Sequence, residues 1–185
     1  MSARGPHFSP LQRVLHWLVA VMVIVMLFIG IGMVSTLKPR FLTLIGIHKP
    51  LGITIFVLVL VRLGVRLRRG APPLPKDLPS GQATGARSSH VLLYTLLIAM
   101  PLVGWSMLSA GGYPIVLYGP IHLPSIVPHS DLAYAVLRRA HTWLAYALFA
   151  TIVIHVCAAL FHAWVRRDGV FASMAPWPSG PDKAP

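Results

Sequence analysis

Four runs of more than twenty residues are almost wholly apolar, and each is closed by a short cluster of charge, proline or glycine. They cover about 14–37, 45–67, 89–110 and 140–165. The breaks are Lys38-Pro39-Arg40, Arg68-Arg69-Gly70, Gly111-Gly112 and Arg166-Arg167-Asp168-Gly169. A helix of about twenty residues crosses ~30 Å of hydrocarbon. In lipid every backbone polar group must bond within its own segment, so helices are the economical solution. The sequence therefore predicts an all-α membrane protein, a four-transmembrane-helix bundle in one domain over 1–176. Charge supports this: 11% of residues are charged, against about a quarter in soluble domains.

The net charge of +12 raises the question of nucleic acid. The basic residues flank spans and form no aromatic-interleaved patch, so no nucleic-acid partner is expected. Cys157 is the single cysteine. It lies inside a span, where it packs as a small apolar residue and can form no intrachain disulfide. The first run has no small-residue cleavage site and reads as a retained span.

Prolines at 72, 73, 75 and 79, with Ser80-Gly81, predict an extended connection between the second and third runs. The longer segment 111–139 carries four prolines and is predicted to hold a short helix over 131–138, capped by Ser130 or Asp131. Residues 177–185, rich in Pro, read as a disordered tail. One side of the bundle receives Arg4, Arg13, Arg66, Arg68, Arg69, Lys76, Arg87, Arg166, Arg167 and Lys183. The other receives Lys38, Arg40, Lys49, Arg138 and Arg139. Cytoplasmic loops carry the excess of Lys and Arg, which places both termini in the cytoplasm.

Against this apolar background His16, His48, His141 and His155 stand out, because an ionisable group in lipid is costly. His141 and His155 are fourteen residues apart. They return to nearly one helix face, about 21 Å apart along it. The alternating direction of the spans puts His48 and His141 near the outer side, His16 and His155 near the inner side. Each pair can clamp one haem iron through neutral imidazole nitrogens. A single histidine near a span end is ordinarily a snorkelling or capping residue. Four that match in depth and face predict two haems. Gly30 repeats the face of His16 at the outer depth, and Gly52 lies one turn from His48, so both can admit a porphyrin close to the backbone. Glycines in spans also serve plain helix packing. Arg62, fourteen residues after His48, and Arg66 one turn further on share a face at the inner depth. A buried cation there calls for an anion such as a haem propionate. His90 opens the third run and competes with His16 as an inner ligand. His162, about 10 Å beyond His155, suits quinone binding or protonation better than a third haem. His7, His122 and His129 sit beside prolines in loops and read as solvated.

These residues resemble a family. The pieces are Leu15-His16-Trp17-Leu18, Ile47-His48 with Val61-Arg62-Leu63 and Arg66, His90 with Tyr94 and Ala99-Met100-Pro101-Leu102-Val103-Gly104, and His141, His155 and His162 followed by Arg166-Arg167-Asp168 and Met174-Ala175-Pro176. Together they are similar to the bacterial cytochrome b561 family, the small di-haem membrane cytochromes that include superoxide oxidase, over about 10–176. The resemblance implies two b-type haems on His16/His155 and His48/His141 in a bacterial inner membrane. It further implies superoxide oxidation at the outer face and ubiquinone reduction in the membrane, with Lys76 and His162 resembling the quinone residues.

Bis-histidine iron has no open position, so electron transfer at the haem edge is the expected chemistry. Superoxide is an anion, and Lys49, Arg138 and Arg139 are the candidates for steering it. Membrane anchoring would use the same cations. The competing functions are a haem-bearing anchor that relays electrons between quinone and a redox protein partner docked on 111–139, and a haem-free transporter using the histidines for protons or metal.

Overall fold

The computed structural model describes residues 7–37, 39–75 and 77–176. Four long helices dominate it: α1 (Pro10–Val34), α2 (Arg40–Arg69), α3 (Ser80–Ala110) and α4 (Asp131–Phe161). Each is long and apolar enough to cross a membrane. A two-residue antiparallel hairpin, β1 (Ile115–Val116) with β2 (His122–Leu123), lies between α3 and α4. A π turn over His162–Arg166 continues α4, and a short helix α5 (Val170–Met174) follows.

The ends of the helices are written in local chemistry. Ser9 and Gln12 form a reciprocal capping box before α1, with Pro10 in the first turn, which satisfies amide donors the helix cannot bond itself. Gly70 ends α2 at φ 73°, and its N–H bonds to the Arg66 carbonyl at 2.7 Å. A side chain would be strained at that positive φ.

The bundle is apolar outside as well as inside. Val19, Val23, Ile55, Val59, Leu96, Leu97 and Leu148, from all four helices, make one buried layer. Phe28, Val34 and Ile154 are mostly exposed, as are many other large apolar side chains. In water such a surface would aggregate; in a bilayer it is the correct solvent-facing composition. α1 packs chiefly on α2, and α3 on α4.

The structure differs from the sequence reading at three places. The predicted short helix over 131–138 is the first two turns of α4, because Ser130 does cap it but no breaker separates it from the span. α3 starts at Ser80 rather than near 89, since nothing after Pro79 stops a helix. The hairpin has no counterpart in the sequence reading, its strands being too short to show an alternation. Lys38, Lys76, Arg4, Lys183 and the tail at 177–185 lie outside the described residues.

Near the start of α1, Gln12 is buried and its Nε2 donates to the Gly70 carbonyl at 2.9 Å. The Trp17 indole N–H donates to the Met174 carbonyl at 2.9 Å. Replacing Gln12 by Ala removes both the capping box and this cross-link. The variant should lose about 1–2 kcal/mol, read as a lower unfolding temperature in detergent.

Candidate functional site

The interior polar side chains collect in two clusters and one terminal network. The first cluster is at the hairpin end. His48 from α2 and His141 from α4 face each other with ring centroids 6.2 Å apart. Both Nδ1 atoms are buried; among the described residues that of His48 has no hydrogen-bond partner, and His141 lies against the Met100 backbone. On the third side is Gly104 of α3, where an added Cβ would come within 3.3 Å of His141 Cε1. A side chain there would press on the imidazole by a few tenths of an ångström. A Cβ at Gly30 would meet nothing within 4 Å, whereas one at Gly52 would touch Met26 at 3.7 Å. Gly30 thus borders open space, and Gly52 lies against α1.

The second cluster lies at the opposite end and draws on all four helices. Arg62 Nη2 is 2.9 Å from His16 Nδ1, and the same guanidinium lies over the Tyr94 ring, 5.2 Å from its centroid. His90 and His155 are paired with ring centroids 5.5 Å apart. His155 and His90 both stand within electrostatic reach of His16. Arg62 only donates, so Nδ1 of His16 is the acceptor and its proton sits on Nε2. Presenting the Nε2 lone pair to a metal needs the proton moved to Nδ1 and Arg62 turned away. Among the described residues Arg62 has no carboxylate partner.

These donors suit a haem iron. Two imidazoles each bound about 2 Å from one metal put their ring centroids roughly 6 Å apart, and His48 and His141 meet that spacing. A buried ring nitrogen without a partner, as on His48, is uncommon in native proteins and fits a metal-ligand pair. The second cluster offers three imidazoles, His16, His90 and His155, where one centre needs two.

The terminal network surrounds the π turn. His162 Nδ1 is 2.7 Å from Asp168 Oδ2, which also accepts from Arg166 Nε at 2.9 Å. Asp168 Oδ1 accepts from the Val170 N–H at 3.2 Å. Arg166 reaches on to Asp77 at 2.8 Å. Arg66 lies over the Phe8 ring instead, 5.7 Å from its centroid. The chain has only four acidic residues, and two of them converge on Arg166. Asp77 gained no role from the sequence, and Asp168, Arg166, Tyr94 and Gly104 entered only through the family pattern or the charge count. The scarcity of acids was the signal that could have singled out Asp168 and Asp77.

At the hairpin end Arg138 and Arg139 are exposed, without a carboxylate partner among the described residues. They border an open groove with Tyr134, Thr142, Trp143 and Tyr146. Lys49 Nζ donates to the Pro114 carbonyl at 3.2 Å. His122 and His129 are exposed, His129 lying 3.9 Å from Asp131.

A family model described as prokaryotic cytochrome b561 matches residues 7–177. The chain is 34% identical over 173 residues to the probable superoxide oxidase CybB of Yersinia pestis, covering 91% of this chain and 96% of that protein. It is 28% identical over 177 residues to cytochrome b561 homolog 1 of Escherichia coli K12, covering 91% and 97%. It is 26% identical over 178 residues to cytochrome b562 of Cereibacter sphaeroides, covering 91% and 95%.

Burial alone would raise the Asp168 carboxyl. Hydrogen bonds from His162, the Val170 N–H and Arg166 outweigh it and hold the carboxyl below its ordinary 3.8. A carboxylate whose folded value is depressed stabilises the fold above the unfolded value and stops doing so as pH falls through the folded one. Wild type should therefore melt above Asp168→Asn near neutrality. The gap in melting temperature should narrow only below about pH 4, as thermal scans in detergent across that range would register.

Proposed function

This chain belongs to the prokaryotic cytochrome b561 family, and from that premise we propose that it is a superoxide:ubiquinone oxidoreductase carrying two b-type haems. Family membership makes it a b-type cytochrome, an electron-transfer protein of bacterial membranes. The observation that carries the finer reading is the placement of imidazoles at both ends of the bundle interior. His48 and His141 are matched across 6.2 Å at one end, and His16, His90 and His155 gather at the other.

In this reading His48 and His141 hold the outer haem, and His16 and His155 the inner one, with both termini in the cytoplasm of a bacterial inner membrane. Bound there, haem supplies one-electron transfer without an open coordination position. The chain's own residues do the rest. Gly104 leaves the His141 ring room, and Gly30 borders space for a macrocycle. Arg62, released from His16, is the cation available to an anionic propionate, with Arg66 one turn away. His90 is held against His155 and serves either as a rival ligand or as a neighbour of the quinone. His162 and Lys76 are the quinone residues. Lys49, Arg138 and Arg139 leave the outer rim positive, which draws a small anion such as superoxide inward.

A second reading rests on the hairpin segment, where Tyr113, Tyr118, Ile121 and Ile126 are exposed. That surface would suit an anchor whose donor is a redox protein docked there. Reduction of the purified chain by superoxide alone, with no second protein, separates the two.

The deciding experiment is a reduced-minus-oxidised spectrum with a haem count per chain. Wild type should hold two low-spin b haems and His48→Ala one. His16→Ala should also hold one, while His90→Ala keeps two; the reverse order would make His90 the inner ligand. The double variant Arg138→Gln/Arg139→Gln should keep its haem and oxidise superoxide about tenfold more slowly at low salt, the deficit fading as salt screens the charge. Stopped-flow rates across ionic strength would show this, and equal rates at low salt would remove these arginines from steering.

A further inference from the structure

The π turn at the end of α4 is shaped around one interaction. His162 to Arg166 wind one residue wider than an α-helix, the Arg167 N–H closes on the His162 carbonyl at 2.8 Å, and Arg167 turns left-handed at φ 54°. Such widened turns cluster at functional sites, and left-handed non-glycine residues persist where the surroundings impose them. Here the result is to fold the chain back so that Asp168 lies against His162. Both side chains are nearly closed to solvent, 14% and 8% exposed. Three donors fix the carboxylate: His162 Nδ1, Arg166 Nε and the Val170 N–H. Asp77, from the connection before α3, holds Arg166 from its other side.

We propose that Asp168 is the positioning residue of a proton-delivery pair, holding His162 with Nδ1–H toward its carboxylate so that Nε2 is the nitrogen that serves the quinone. This deepens the reading above and rests on its assignment of His162 to the quinone. Two other cations at this end are engaged elsewhere. Arg66 of α2 lies over Phe8 and Arg13 of α1 reaches the Ala175 carbonyl. Among the described residues Nε2 of His162 has no hydrogen-bond partner.

The overall conversion takes two superoxide ions, one quinone and two protons to two dioxygen molecules and one quinol. Superoxide supplies both electrons, and water at this end of the bundle supplies both protons. In each proton transfer the Nε2–H bond of the imidazolium breaks as an O–H bond forms on the quinone oxygen. The ring is left neutral with its remaining proton on Nδ1, facing Asp168, and Nε2 takes the next proton from water. Asp168 stays ionised throughout. Its carboxylate keeps the Nδ1 proton in place, so that Nε2 is the nitrogen that exchanges protons.

The test is quinol formation from superoxide and a short-chain ubiquinone by the full-length haem-loaded protein, followed from about pH 5.5 to about pH 9. Asp168→Asn keeps the size of the side chain and an oxygen for the Val170 N–H, so the fold and haem spectrum should persist. Its rate should drop about 10–100-fold at neutral pH, and its pH profile should differ in shape from that of the wild type. Asp168→Glu should recover much of both. A pH profile for Asp168→Asn with the wild-type shape, or a Glu variant no better than Asn, overturns the inference. A wild type that makes no quinol overturns the quinone reading itself, and this inference with it. That outcome is distinct from a wild type that makes quinol without regard to Asp168.

Discussion

Lipid on the outside leaves the polar atoms of this chain nowhere to go but inward or to the ends. In a water-soluble bundle a histidine or arginine at a helix surface is solvated at little cost. Here it must find a partner across the bundle, a cofactor, or an end of the span. The interior arrangement follows from that demand. Arg62 takes a histidine and an aromatic face, His90 takes His155, and His48 and His141 confront each other. The most polar network, with Asp168 and Arg166 at its centre, is placed at the exit of α4.

The same demand explains what could be read from the chain without its structure. The spans were legible because about twenty apolar residues followed by a charge cluster leave few alternatives. That His48 and His141 face each other was legible because alternating spans and a fourteen-residue interval fix relative depth and face. The cluster at the other end was less so. Depth assigns His16, His90 and His155 to one level, but which two rings face each other depends on how the helices rotate. That rotation is set by side-chain packing around Val19, Val59, Leu96 and Leu148, which no periodicity reveals. Asp168 escaped for a different reason. Its approach to His162 needs a π turn and a left-handed Arg167, and neither has a sequence signal.

Arg62 joins a histidine and an aromatic ring in the interior. Bound to His16 Nδ1 it satisfies a buried nitrogen and its own charge partly, with help from the Tyr94 ring. An anionic group would offer the guanidinium a better partner, and in the proposed haem site the proton of His16 would then sit on Nδ1 to leave Nε2 free for the metal. The cation and the histidine would be linked through a shared proton position. A change at residue 62 that leaves the charge but alters the fork geometry would disturb this exchange, since Lys and Arg present donors differently.

Trp17 and Met174 are joined by one hydrogen bond although 157 residues separate them. Gln12, Arg13 and Phe8 make further ties to Gly70, Ala175 and Ser173. The first helix is thus latched by the last helix of the described chain. During synthesis the N-terminal spans emerge and settle first, so the latch on α1 stays open until residues 173–175 have left the ribosome. The end of the bundle holding His16 is consequently the last to be sealed, and it stays accessible from that side through most of assembly.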